Sequence, residues 1–253
     1  MDPWVLQAMQ PYFSEQFYNP SALYSSARQV AKALLAARVS VASILGARPS
    51  EIIFTAGGTE ANNIAIYGVM AAHPGKKMLL TSVEHDSVLE PGRAFGAEEL
   101  PVQADGRIDL AKLEQAITGD TVLVSIQYAN NEIGTVQPIR DIGLIIKNIR
   151  KARRQNGNDT PLYFHTDACQ ASPYLDLHVA RLGVDLLTLN GGKMYGPKQS
   201  GMLYVAGGTV LEPLVRGGGQ ERNIRSGTEN VAAIIGFTRA LELAQANRKT
   251  ESE

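Results

Sequence analysis

The chain has 253 residues, of which 44% are hydrophobic and 19% charged, and its formal net charge is -1. That length suits one large domain or two small ones, and that balance suits a water-soluble fold with a substantial core. The near-neutral charge argues neither for nucleic acid nor for an anionic membrane as partner, so none is expected, and a single cysteine rules out an intrachain disulfide and fits a reducing, cytoplasmic setting.

The opening "MDPWVLQAMQPYF" lacks the basic region and long apolar run of a secretory signal, and no stretch of about 18 apolar residues is present to cross a membrane. Residues 26–45 place apolar side chains at helical spacing, with Gly46 as a stop. "EIIFT" (51–55) reads as a buried strand and residues 59–72 as a helix. "KKMLLTS" (76–82) is a strand, and "DLAKLEQAI" (109–117) a helix with Asp109 as its N-cap. "TVLVSIQY" (121–128) is a strand, followed by a helix over 138–155 with Pro138 near its start. "LYFHT" (162–166) and "DLLTLN" (185–190) are strands. "GMLYV" (201–205) is a further strand, its direction open between parallel and antiparallel, and residues 229–247 form a closing helix before a frayed polar end, "RKTESE". The alternation predicts an α/β fold with a mostly parallel central sheet and helices on both faces. Residues 1–45 form an N-terminal helical segment and 51–253 the α/β body of one large domain.

In such sheets ligands gather at the carboxyl ends of the strands. Five apolar runs each end in unusual polar residues: Gly57-Gly58-Thr59, Glu84-His85, Asn130-Asn131, Asp167 with Gln170, and Gly191-Gly192-Lys193. A glycine turn opening a helix offers free N–H groups to a phosphate, although an ordinary turn capped by Thr59 has the same look. Asp167 could hold a heteroaromatic N–H cation, or cap a helix. His85 could stack on a flat ring or move a proton, or serve as a cap. His165, two residues before Asp167, reads as packing or support. Lys193, framed by glycines, can bring its amine against a large planar partner, and a lysine amine condenses with an aldehyde. Together these groups match what pyridoxal phosphate requires. The four histidines show no metal spacing, so no metal is expected. The cluster Lys147, Arg150, Lys151, Arg153 and Arg154 falls at a helix end, where cations suit the dipole, so no nucleic-acid role is read into it.

The motifs "NPSALYSSAR", "EIIFTAGGTEANN", "SVEHDSVL", "ANNEIGTVQPI", "HTDACQA", "GGKMYGPKQSGMLYV" and "GGGQERNIRSGTENV" occur in one order along the chain. In that combination the chain resembles the cysteine desulfurases, which stand with class V aminotransferases in the fold-type I group of pyridoxal-phosphate enzymes. The resemblance implies the large, cofactor-holding domain of such an enzyme, in a homodimer. It implies a Schiff base between Lys193 and the cofactor, with Lys193 also shuttling protons. Asp167 would pair with the pyridine nitrogen, Gln170 with the ring hydroxyl, and His85 would stack on the ring. Asn131 would lie beside cofactor and substrate carboxylate, Gly58 and Thr59 would hold the phosphate, and Thr228 would reach the phosphate of the neighbouring subunit.

The implied reaction takes L-cysteine to L-alanine and passes sulfur, as a protein persulfide, to an iron–sulfur scaffold or thiolation partner. Selenocysteine lyase and class V aminotransferase are the alternative chemistries, and a truncated chain that only dimerises or binds cofactor is the non-catalytic alternative. Four departures stand out. Asn190 and Gly192 occupy places where the family often has Ser-x-His on the phosphate. The family's N-terminal Asp-Asn-Ala-Ala-Thr-Thr strand and its small C-terminal domain are not in this sequence. With the latter go the persulfide-forming cysteine and a carboxylate-binding arginine; Cys169 lies in the cofactor motif and is expected to be a packed residue.

Overall fold

The structure is a computed structural model that describes residues 1–251. Two helices precede the sheet. α1 (Pro3–Met9) starts at Asp2, whose carboxylate accepts the Trp4 N–H, and α2 (Ser25–Leu45) buries Ala27, Val30, Leu34, Ala37, Val41 and Leu45 along one stripe. Gly46 ends α2 at φ 64°, the left-handed conformation that costs glycine little, and returns its N–H to the last turn.

Seven strands form one sheet: β1 (Ile52–Thr55), β2 (Lys77–Thr81), β3 (Glu98–Leu100), β4 (Thr121–Ser125), β5 (Tyr163–Asp167), β6 (Leu186–Asn190) and β7 (Gly201–Val205). Their order is β1-β7-β6-β5-β4-β2-β3, and β7 alone runs antiparallel to its neighbours. Because β1, β6, β5, β4, β2 and β3 all point the same way, their carboxyl ends share one edge. The expected strand over 121–128 forms ladder pairs only to Ser125. Beyond it, Ile126 and Tyr128 still donate their N–H groups to His165 and Asp167 of β5 at 3.1 and 2.8 Å.

Successive side chains of a strand face opposite ways, so each strand feeds two cores. Leu79, Val124, Phe164 and Leu187 face α1, α2, α6 (Ile139–Gln155) and α8 (Val231–Glu251). Leu80, Leu123, Leu186 and Leu203 face α3 (Gly58–Ala72) and α4 (Asp86–Ala94). A fully buried side chain such as Phe164 contributes about 1.5–3 kcal/mol through removal of apolar area from water. His165 and Asp167 follow the parity opposite to Phe164, which turns them towards α3.

α5 (Leu110–Ala116) begins at Asp109, whose carboxylate accepts the N–H groups of Ala111 and Lys112, as expected. α1 falls within the helical segment expected over residues 1–45, whereas α4, β3 and the single turn α7 (Val179–Leu182) lie outside the expected set of helices and strands. α4 contains Pro91 and Gly92, poor helix formers that its contacts on α3 override, and β3 is a three-residue edge strand with two exposed glutamates. The frayed end expected from residue 248 is helical through Glu251; residues 252 and 253 lie outside the described residues. No helix among the described residues is long and apolar enough to cross a membrane.

Candidate active site

The carboxyl edge of the sheet opens into a small cleft. Gly58, Thr59, His85, Asn131, Asp167, Gln170, Asn190 and Lys193 line it, so eight of the ten expected site residues converge from five strand ends.

β1 leads into the glycine turn. Gly57 has φ 142° and ψ 177°, a backbone conformation open to glycine, and acts as N-cap of α3; Thr59 lies inside the helix rather than capping it. The N–H groups of the first turn have no intrahelical acceptor and face an anion naturally. A Cβ on Gly58 would stand 2.8 Å from Cys169 Sγ and 3.3 Å from Asn190 Cβ, so this glycine lets the turn sit on the loop after β5 and the end of β6.

β2 delivers Glu84 and His85. His85 is the N-cap of α4: its Nδ1 accepts the Ser87 N–H at 3.0 Å and lies 2.8 Å from Ser87 Oγ. Capping and lining the cleft are therefore compatible, because the cap uses only one ring nitrogen. Glu84 points the other way, fully buried; its Oε1 accepts from Thr81 Oγ1 at 2.6 Å and from the Gln127 N–H at 2.8 Å. Burial pushes its carboxyl up to about 8, and the nearby Asp167 charge adds to the rise, while the Thr81 and Gln127 hydrogen bonds oppose it.

β5 delivers Asp167, whose two oxygens accept from Asn62 Nδ2 at 2.7 Å and the Cys169 N–H at 2.9 Å. Below it, His165 is buried between Ser125 Oγ at 2.8 Å and Thr188 Oγ1 at 3.1 Å, which joins β4, β5 and β6; burial pushes its imidazole down to about 4. It supports the floor and does not reach the cleft. At the rim, Gln170 Nε2 donates to Asn131 Oδ1 at 2.9 Å.

β6 ends at Asn190, which caps a single 3-10 turn, Gly191–Lys193. The turn projects Lys193 into the cleft, where its amine has no hydrogen-bond or ion-pair partner among the described residues. Gly192, also expected at the cofactor, does not line the cleft, and its N–H donates to Asn190 Oδ1 at 3.1 Å. Thr228 also lies elsewhere, lining a separate pocket together with Tyr12, Phe13 and Phe17. Its loop is tied to α3 by the Arg225–Glu60 ion pair at 2.7 Å, and Arg222 donates to the Pro49 carbonyl, so neither arginine is merely solvated.

Cys169 is a packed residue as expected: it is 8% exposed, and burial raises its thiol well above the usual cysteine range. A thiol held protonated is a poor nucleophile. Among the described residues no cluster of metal-ligating side chains occurs. Sequence reasoning missed Asn62, Ser87 and Gln127. Ser87 was legible as the cap partner two residues beyond His85; Asn62, in a helix read by its apolar stripe, gave no signal.

The cleft suits pyridoxal phosphate by its donor set. Its lining combines the N-terminus of α3, an acid with both oxygens held by N–H donors, an unpartnered lysine amine and a flat imidazole.

Comparison with known proteins gives the same picture. The family model described as aminotransferase class-V matches residues 1–253. A cysteine desulfurase IscS of Dictyoglomus turgidum is 44% identical over 247 residues, covering 95% of this chain and 60% of that protein. One from Methanosarcina thermophila is 43% identical, covering 96% of this chain and 59% of the relative. A solved NifS-like protein superposes with a TM-score of 0.92 at 34% identity, covering 99% of this chain and 68% of that one. A structure described as SspA in complex with cysteine gives 0.87 at 38% identity, covering 96% and 69%. The chain thus spans about 60% of the length of these curated relatives.

Proposed function

Since the chain belongs to the aminotransferase class-V family, we propose that it forms the pyridoxal-phosphate-holding part of a cysteine desulfurase acting on L-cysteine. The observation that carries this reading is the meeting of the Lys193 amine, the Asp167 carboxylate and the His85 ring in one cleft.

The first-turn N–H groups at Gly58 and Thr59 would hold the phosphate, with Asn190 Nδ2 beside them. Asp167 would accept the pyridine N–H, and the His85 ring would cover one face. Gln170 and Asn131, already bonded to each other, would meet the ring hydroxyl and the substrate carboxylate. When bound, the group supplies an electron sink for carbanion chemistry at an amino-acid α-carbon. Lys193 Nζ is the base placed to take the α-proton and return it, since no acceptor restrains it. Cys169, buried with a raised thiol and fixed beneath Gly58, does not attack a substrate sulfur, so the persulfide-forming thiolate is not among these 253 residues. A second copy of the chain would bring Thr228 to the phosphate, which makes the working unit a homodimer. The sulfur acceptor would be an iron–sulfur scaffold or thiolation protein in the cytoplasm.

The test is chemical. Purified protein given pyridoxal phosphate and then borohydride should carry the reduced cofactor on the peptide containing Lys193, and Lys193→Ala should carry none. A label on another lysine, with Lys193→Ala labelled as strongly, overturns the reading.

A further inference from the structure

Asn62 is completely buried on α3, one helical turn beyond Gly58. Its amide nitrogen has two protons, and both are engaged: Asp167 Oδ2 lies at 2.7 Å and Ser87 Oγ at 2.9 Å. Its amide oxygen is buried without a partner. The orientation of the amide is therefore set by what faces its nitrogen. Turned over, it would set its oxygen against a carboxylate oxygen, two acceptors with no proton between them.

The direction of the remaining bonds follows. The Ser87 N–H can only donate, so His85 Nδ1 is an acceptor. Ser87 Oγ takes a proton from Asn62 and directs its own to the same Nδ1, 2.8 Å away. The ring proton of His85 is then on Nε2. One buried amide thus contacts the acid of the cleft and, through one hydroxyl, the imidazole that lines it. The helix carrying this amide also opens with the glycine turn.

We propose that Asn62 is a positioning residue that holds Asp167 in register with the cofactor's pyridine nitrogen and couples it through Ser87 to His85. The proposal rests on the cofactor reading above and adds to it the group that aligns the acid. Each hydrogen bond runs from a neutral donor to a fixed acceptor in a dry site, where such bonds are strong and directional.

The experiment uses the full chain with 15N-labelled pyridoxal phosphate. Asn62→Leu removes both donors at similar size, and Asn62→Asp keeps the size while placing oxygen against Asp167. Both should weaken cofactor retention about tenfold, the effect of losing a hydrogen bond to a charged group. Both should also move the pyridine 15N resonance in the direction that Asp167→Asn moves it. Ser87→Ala should leave that resonance in place and shift the His85 Nδ1 resonance in histidine-labelled protein without cofactor. Either Asn62 variant, folded by circular dichroism, with wild-type retention and a wild-type pyridine signal overturns the proposal; Asn62→Asp carries the test if Asn62→Leu does not fold. An unmoved His85 signal in Ser87→Ala overturns the coupling. If wild type and Asp167→Asn both give no bound pyridine signal, the cofactor reading has failed and the alignment of the acid falls with it, an outcome distinct from the others.

Discussion

Around Arg38 the polar atoms are matched, whereas behind the cleft some are left over. The Arg38 guanidinium donates to both Glu221 oxygens at 2.6 and 2.8 Å and to the Ile52 carbonyl at 2.6 Å, and it lies 4.7 Å from the centre of the Phe54 ring. Glu221 also takes the Phe54 N–H at 2.8 Å. Arg153 is similar, with four carbonyls of Thr118, Thr121, Thr160 and Pro161 around its guanidinium. Near the cleft, by contrast, Asn62 Oδ1 and Glu84 Oε2 are buried with no partner, and Lys193 has none. Leaving a buried polar atom unpaired costs free energy, so its persistence marks a place where something other than stability decides the arrangement. His73 Nε2, His178 Nδ1 and Glu229 Oε2 are also buried without a partner but do not line the cleft, so the contrast holds between these two regions and is no general rule.

The largest effect should come from opening the saturated side. Glu221→Ala leaves the Arg38 charge buried and should lower the unfolding free energy by about 3–5 kcal/mol in urea titrations. The paired change Arg38→Met with Glu221→Leu should lower it less; an equal loss would mean that packing, not the stranded charge, sets the cost.

A smaller effect, legible in its sign, should come from Glu84. Its carboxyl is raised to about 8 from an ordinary 4.5, so between those values the folded chain holds a proton that the unfolded chain has lost. This group therefore lowers stability as pH rises, by at most about 1.4 kcal/mol per pH unit. His165, held down to about 4 from 6.5, acts oppositely: its stability is present above 6.5 and is lost as pH falls through 6.5 towards 4. The two slopes oppose each other below 6.5, so the clean window is pH 6.5 to 8. There Glu84→Gln should flatten the fall seen in thermal melts of the wild type, and an unchanged slope would show that Glu84 is ionised throughout.

The smallest effect should be at the cleft's free amine. Lys193→Ala should change the unfolding free energy by no more than about 0.5 kcal/mol, because no contact of its amine is lost. A larger loss would place Lys193 with the framework and blur the distinction between the regions.

The sequence showed most of this edge and little of what lies behind it. Strand ends are legible because apolar runs stop abruptly, and Gly57, His85, Asp167 and Lys193 each follow such a stop. The α4 helix was hidden by Pro91 and Gly92, whose poor propensity is outweighed by tertiary contact. Asn62 was hidden because a polar residue in an apolar helix stripe looks like a solvated one until the strand opposite is known. Gly192 was expected at the cofactor because it stands where the family often has a histidine, and the 3-10 turn capped by Asn190 sets it outside the cleft lining. Thr228 illustrates a different limit, since a residue expected to serve a second copy has no reason to approach the cleft of its own chain.

β1 is an edge strand whose one ladder partner is β7, and Gly201 packs against the backbone of Gly57 so closely that a Cβ there would lie 2.7 Å from it. The glycine turn therefore has no platform until a strand made much later in synthesis slides between β1 and β6. Contacts so distant along the chain carry a large loop-closure cost. A chain ending before Gly201 lacks that platform, so it should retain less pyridoxal phosphate than the full chain.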